Sequence, residues 1–216
     1  SSATDMSINA GFHKLKIAEV RRETPDAVSI RFEIPDTLKD VFAFKAGQHL
    51  TLRTDMNGED IRRNYSVCVS PHENEIRIAV KQTPGGRFSG WANPALQPGP
   101  PIEVLPPMGR FTVPATARDT PYYVALAGGS GITPVLSILK TVLAENPRPN
   151  FTLLYGNRDS ASIMFLEELA GLKNHYLDRL EIYHFLENEA EEIELFNGRL
   201  DRAKLDEVFS TLVDVN

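Results

Sequence analysis

The chain has 216 residues and a formal net charge of −6, with 42% hydrophobic and 24% charged residues, which describes an ordinary globular protein long enough for one large domain or two of about 100 residues. An acidic balance without a basic stretch argues against nucleic acid or an anionic membrane as partner, and no apolar run approaches the ~20 residues of a membrane span. Cys68 is the only cysteine; this excludes an internal disulfide and a four-thiolate cluster, and a cytoplasmic location is the default expectation.

Residues 1–11, small and polar at their start, read as a disordered lead or a cloning remnant. From His13 to Phe111 short β-rich segments alternate with turn residues. The expected strands are Lys14–Arg22, Ala27–Ile34, His49–Arg53, Ile61–Ser70, Glu75–Gln82 and Ile102–Leu105. Breakers such as Thr24-Pro25-Asp26, Asn57-Gly58 and Pro98-Gly99-Pro100-Pro101 separate them. Six such strands predict a closed or nearly closed antiparallel barrel, interrupted by one helix over Phe88–Leu96.

Beyond Pro121 the rhythm becomes strand, helix, strand. Strands are expected at Tyr122–Ala127, Asn150–Tyr155 and Leu180–Leu186, with helices over Pro134–Glu145, Ile163–Lys173 and Asp201–Phe209. That alternation predicts a parallel sheet with crossover helices. The boundary between the two patterns falls near 114–120, giving units of 12–115 and 120–216, and the acidic stretch Glu187–Glu194 reads as a solvated loop. Three strands are few for a nucleotide-binding sheet, so the second unit is expected to be incomplete at its C-terminal end.

Three stretches carry chemistry. Gly128-Gly129-Ser130-Gly131 joins the first parallel strand to its helix, with Thr133 as the expected N-cap and Pro134 at the first helical position. Free amides and the helix dipole at such a turn favour an anion such as a pyrophosphate, and the glycines let a ligand come close. In Arg63-Asn64-Tyr65-Ser66, a guanidinium able to neutralise phosphate precedes an aromatic ring able to stack on a planar group and a hydroxyl able to bond a ring nitrogen. Gly85-Gly86-Arg87-Phe88-Ser89 opens the short helix and forms a second candidate anion site. Ser130 is not in a G-x-S-x-G elbow, because Ile132 stands at the fifth position. Cys68 has no resolving partner and reads as a small buried apolar residue. The five histidines show no metal-ligand spacing.

In order and spacing these three motifs resemble the ferredoxin–NADP reductase superfamily, in which an FAD-binding barrel precedes a pyridine-nucleotide domain. Ala46–Thr51, Ala79–Lys81, Leu154–Arg158 and Asn197–Asp201 are similar, more closely, to the reductase components of bacterial phenylacetyl-CoA epoxidase. The resemblance implies a six-stranded antiparallel FAD-binding barrel and a parallel-sheet NADP-binding domain. It also implies electron flow from NADPH through FAD to a [2Fe–2S] centre in a further C-terminal ferredoxin domain, and from there to a di-iron oxygenase component.

Residue by residue, it places Tyr65 along the flavin ring, Ser66 near its N5 and Arg63 on the FAD pyrophosphate. Gly86, Arg87, Phe88 and Ser89 would hold the same pyrophosphate, while Val80 and Lys81 would frame the ring edge, mainly through backbone; His49, like the other histidines, reads as structural or exposed, with lining of the flavin cavity as the alternative. Thr133 would sit between flavin and nicotinamide, Gly129 and Gly131 would let the dinucleotide approach, and Asn157 and Arg158 would meet its adenosine end. Ser66, Tyr65 and Thr133 are thus the expected catalytic residues. A strand-end Arg158 favours NADPH over NADH, against the neighbouring Asp159. The superfamily's Cys-Gly-Pro segment and the C-x4-C-x2-C cluster motif are absent from these residues, so the chain is expected to be a truncated piece. Two other readings stay open: a flavin- or nucleotide-binding module without turnover, and a flavin reductase of the same superfamily.

Overall fold

The computed structural model describes residues 11–113, 121–190 and 193–211. The polar lead before Gly11, the 114–120 boundary and part of the acidic stretch, residues 191 and 192, lie outside the described residues. Strands β1 (His13–Thr24), β2 (Ala27–Glu33), β3 (His49–Met56), β4 (Glu59–Ser66), β5 (Ile76–Lys81) and β6 (Pro101–Val104) form one antiparallel sheet of order β4-β3-β6-β1-β2-β5. Its two ends meet: Val67 bridges Ile78, and the Cys68 amide donates to the Arg77 carbonyl at 2.9 Å. The sheet therefore closes as the alternating pattern predicts, because closure is what removes unpaired edges. Strand β4 ends at Ser66, four residues short of the expected Ser70, since the chain leaves the ladder after the Val67 bridge. Helix α1 (Arg87–Ala95) lies against β5.

The second sheet is parallel, order β7-β8-β9, with β7 (Tyr122–Gly128), β8 (Asn150–Asn157) and β9 (Leu180–Leu186). Helices α2 (Ile132–Glu145), α3 (Leu166–His175) and α4 (Arg202–Thr211) accompany it. Strand β8 is buried on both faces: Phe151, Leu153 and Tyr155 join the main core, whereas Leu154 packs with Phe185 and Val208 of α4 on the other side. Such two-sided burial is why a parallel central strand reads as a continuous apolar run. Nine of the fourteen residues of α2 are buried, far more than a one-sided helix would hide, because α2 is sandwiched between sheet and barrel. A single apolar cluster accordingly runs from Leu15 and Ile30 of the barrel through Leu136 and Leu139 to Phe151 and Leu180.

Thr133 is not the N-cap of α2. A tight turn over Gly129–Gly131 begins the winding early, Gly131 takes the cap position, and the Thr133 hydroxyl donates to the Ser130 carbonyl at 3.1 Å. Pro134 consequently sits at the third helical position, still within the turn whose amides have no intrahelical partner. Helix α3 starts three residues later than expected, because Asp159 caps a separate turn over Ser160–Ser162 and Phe165 adopts a left-handed conformation at φ 62° before the helix begins.

Gly47 is the tightest point between barrel and helix. Its φ is +96°, and a Cβ there would lie 1.6 Å from the Phe111 carbonyl oxygen and 3.3 Å from Ile138 Cδ1 of α2. Gly58, at φ +81°, has nothing within 4 Å of such a Cβ. Gly58→Ala should therefore cost about 1 kcal/mol of backbone strain, whereas Gly47→Ala should cost about 3 kcal/mol or more because the backbone itself must move. Urea midpoints of the two variants check the contrast. On the barrel wall the buried Arg77 guanidinium bonds Glu19, Ser29 Oγ at 3.1 Å and Glu75 at 3.3 Å. The Arg77 hydrogen bond holds the Glu19 carboxyl at about 2, from an ordinary 4.5. A depressed acid stabilises above its unfolded value and loses that contribution as pH falls through the folded one. Glu19→Gln should flatten the acid limb of the stability curve between pH 4.5 and 2, with a loss of roughly 1 kcal/mol at neutral pH after solvent screening.

Candidate functional site

Two clefts meet where the barrel faces the glycine turn. The first, about 330 Å³, is walled on the barrel side by Arg63, Tyr65, Ser66, Lys81, Gly86, Phe88 and Ser89. Its opposite wall is Ser130, Gly131, Thr133 and Pro134. The three motifs, separated by up to 71 positions in sequence, thus share one space because β4 and β5 are neighbours at the closure and α2 lies across them. Tyr65 is half-buried against Phe88, ring centroids 5.6 Å apart and tilted by 38°, and Phe88 meets Trp91 edge-on at 5.6 Å. Burial pushes the Tyr65 phenol up to about 12, so it stays neutral across the physiological range.

Local contacts shape the loop before α1. Gly85 has φ +72°, and a Cβ on Gly86 would fall 2.3 Å from Thr83 Oγ1 and 2.5 Å from Ser89 Oγ. The Thr83 amide donates to Ser89 Oγ at 3.1 Å, so this hydroxyl organises the loop from within, and Gly86, Phe88 and Ser89 line the cleft. Arg87 does not line the cleft: its guanidinium pairs with Glu59 at 2.6 Å on the β3–β4 hairpin. Arg63 turns back to donate to the Arg62 carbonyl at 2.7 Å. Val80 is fully buried in the barrel core. His49 pairs with Met108 and packs beside Gly109 rather than lining this cleft.

The second cleft, about 500 Å³, lies at the carboxyl ends of β7, β8 and β9, where open parallel sheets place their ligands. Gly128, Gly129, Asn157 and Arg158 line it, joined by Glu187, Arg199 and Leu200. Lys81 borders both clefts, and a Cβ on Gly129 (φ +51°) would come within 3.2 Å of its Nζ. Asn157 is 6% exposed, and neither amide atom has a hydrogen-bond partner, although the Tyr155 hydroxyl lies near it. Asp159 is occupied elsewhere: its carboxylate accepts from the Ser162 amide at 2.9 Å and hydroxyl at 2.7 Å, which lowers its pKa.

Glu187, Arg199 and Leu200 were missed as site residues. A parallel bridge between Leu186 and Asn197 and the positive φ of Gly198 (+85°) bring them there. Leu200 approaches so closely that a Cβ on Gly156 would sit 3.2 Å from it. The signal available was the Asn197–Asp201 string itself, a short motif after a loop. Cys68 is fully buried with its thiol pushed up by burial, and its Sγ lies 3.4 Å from the Arg77 carbonyl, as a structural cysteine should be. Among the described residues no cluster of His, Cys, Asp and Glu could hold a metal, and no helix is long and apolar enough to cross a membrane.

Residues 14–113 match the family model of the oxidoreductase FAD-binding domain, and residues 125–215 that of the oxidoreductase NAD-binding domain. The chain is 43% identical to one of the subunits of 1,2-phenylacetyl-CoA epoxidase from Escherichia coli strain K12, covering 94% of this chain and 57% of that protein. The chain belongs to the oxidoreductases that carry these FAD-binding and NAD-binding domains. A second relative, the ferredoxin reductase component of 3-ketosteroid-9-alpha-monooxygenase from Rhodococcus rhodochrous, is 41% identical over 81% of this chain and 49% of its own length. A ferredoxin NADP+ reductase from Neisseria gonorrhoeae, solved with FAD and NADP, shares the fold at a TM-score of 0.76 and 24% identity, over 92% of this chain and 77% of that one. The chain spans about half the length of the curated relatives it matches.

The orphan amide of Asn157 gives this site a measurable signature. Replacing an unsatisfied buried polar group by an apolar one of similar shape is neutral or stabilising. Asn157→Leu should leave the melting temperature of the ligand-free chain unchanged or raise it. A loss of about 1 kcal/mol or more would show that the amide is bonded.

Proposed function

We propose that this chain is the flavin- and nucleotide-binding part of an NADPH-dependent, FAD-containing reductase. In this reading residues 12–115 are the FAD domain and residues 120–216 the NAD(P) domain. The reductase serves a [2Fe–2S] centre outside these residues and, beyond it, a di-iron oxygenase of the phenylacetyl-CoA epoxidase type. The observation that carries the reading is the junction of the clefts: Tyr65 and Ser66 face Thr133 across one, and Lys81 and Gly129 lead directly into the other. The names of the two curated relatives, one belonging to an epoxidase and the other a monooxygenase reductase component, support the oxygenase as the destination.

The residues fit both cofactors. A Cβ on Gly131 would meet nothing within 4 Å, which leaves room at the first cleft for a ligand to approach the backbone. Gly128, Gly129, Asn157 and Arg158 leave a cleft of about 500 Å³ for the second. A flavin held in the first cleft would supply the two-electron and one-electron redox chemistry.

The chain's own groups bind and orient. The neutral Tyr65 ring would stack along the flavin, and the Ser66 hydroxyl would donate to its reactive nitrogen. Arg63 and the amides at the start of α1 take the pyrophosphate, with the Arg87 charge contributing from outside the cleft. Thr133, 5% exposed and tied to the Ser130 carbonyl, is a fixed wall between the two rings. Lys81, Arg158 and Arg199 gather positive charge at the adenosine end, which suits a 2′-phosphate and supports NADPH over NADH. Glu187, 3.8 Å from Arg199 Nε, is the carboxylate that works against that preference.

An anaerobic absorbance titration decides this. Supplied with FAD, the chain should bind oxidised flavin that bleaches with NADPH and more slowly with NADH. Flavin that binds but never bleaches would refute the reductase reading. Ser66→Ala should slow bleaching roughly tenfold or more while changing the FAD dissociation constant little; equal losses in both would remove its proposed role at the flavin nitrogen. Arg158→Ala should weaken NADPH roughly tenfold and leave NADH unaffected, so equal weakening of both would count against the 2′-phosphate contact.

A further inference from the structure

Helix α2 does more than start at the glycine turn. Its middle is tied to the barrel by polar contacts on one side. Ser137 Oγ, fully buried, donates to the Val69 carbonyl at 2.6 Å. One turn on, Lys140 Nζ lies 2.9 Å from Glu73 of the barrel and 2.8 Å from Glu168 of α3, its side chain only 8% exposed. Glu73 is itself fixed, because its carboxylate accepts the Ser70 amide in a reciprocal cap of the Pro71–Glu73 turn. Near the helix end Glu145 meets His72 at 2.8 Å, an exposed pair.

These contacts land on the segment Val69–Glu73, which directly continues the strand that carries Tyr65 and Ser66. The opposite wall of the first cleft, Gly131 and Thr133, is the start of the same helix, about 10 Å along its axis from Lys140. A rigid helix bolted to the barrel at that distance fixes how far apart the two walls stand. Burial alone would lower the Lys140 pKa; the Glu168 and Glu73 carboxylates more than offset that and hold it above the ordinary lysine value, so the residue stays charged. Buried ion pairs contribute little net stability for what their desolvation costs, and are best attested as devices that fix register.

We propose that Lys140 is a positioning residue. The Glu73–Lys140 pair, with the Ser137–Val69 bond, sets the spacing between a nicotinamide held at the glycine turn and a flavin held at Tyr65 and Ser66. This rests on the reductase reading above. Of the two carboxylates that hold Lys140, Glu73 reaches it across from the barrel, and Glu168 neutralises it from within its own unit.

That asymmetry supplies the test. Glu73→Gln and Glu168→Gln each remove one carboxylate charge from the same ammonium group and leave the other in place. Three quantities are measured on the full chain: FAD and 2′,5′-ADP dissociation constants, bleaching rate at saturating NADPH, and hydrogen exchange of segments 69–73 and 133–145 without ligand. Glu73→Gln and Lys140→Met should keep both dissociation constants within twofold, slow bleaching tenfold or more, and speed exchange in both segments. Glu168→Gln should leave the bleaching rate within twofold of wild type, and Lys140→Arg should restore most of it. Equal slowing by the two Glu→Gln variants, or no slowing by Glu73→Gln, would overturn the proposal. If the wild-type chain does not bleach at all, the reductase reading is what fails. The exchange measurement then decides the mechanical half by itself: equal protection in wild type and Glu73→Gln overturns it, and selective loss in Glu73→Gln upholds it.

Discussion

The structure depends on the packing of α2 against the outside of the barrel closure. Val67, in the closing bridge, and Cys68 after it are both fully buried, in the same apolar cluster as Leu136 and Leu139 of α2. Ile132, Leu136, Leu139 and Leu143 of α2 are 2% exposed or less. At about 1.5–3 kcal/mol for each such side chain, burying these four between sheet and barrel is worth on the order of 10 kcal/mol. The Ser137 bond adds about 1 kcal/mol. Apolar area therefore decides that helix and barrel associate, while the few polar bonds, being directional, decide at which rotation and height.

Much of this was readable from residue order, for identifiable reasons. All six barrel strands and all three parallel strands lie where alternation, β-branched residues and turn breakers put them, because each of those signals is local. The helix boundaries were less legible. Thr133 has the residue type and the following proline of an N-cap, but the early turn over Gly129–Gly131 moves the cap to Gly131, and that turn is set by how the strand delivers the chain to α2. In the first cleft, Arg63, Tyr65, Ser66 and Thr133 converge as their motifs suggest. Arg87 and Asp159 look alike on paper as cleft charges; each is taken by a neighbour that the fold supplies, Glu59 for one and the Ser162 turn for the other. Glu187, Arg199 and Leu200 were illegible as a group, because a single parallel bridge after a loop recruits them.

Charge is distributed in a way that the net value conceals. A chain of formal charge −6 carries Lys81, Arg158 and Arg199 around one cleft, where Glu187 is the lining carboxylate and Asp26 lies 3.8 Å from Arg158. Fields are focused by clefts with low-dielectric walls, so a local excess of cations attracts an anionic ligand even when the whole molecule repels one. The acidic total argues against extended polyanions, whose many charges sample the entire surface. It says nothing against a small dinucleotide that reaches only one cleft.

The two clefts differ in what they already hold before any ligand arrives. In the first, Ser89 bonds the Thr83 amide and Thr133 bonds the Ser130 carbonyl, so their positions are fixed and little ordering remains to be done on binding. In the second, the lining is charged, with Lys81, Arg158, Arg199 and Glu187, long side chains that lose rotamer freedom when a ligand orders them. The first cleft thus favours a seated group through preorganisation, whereas the second has ordering still to do on binding.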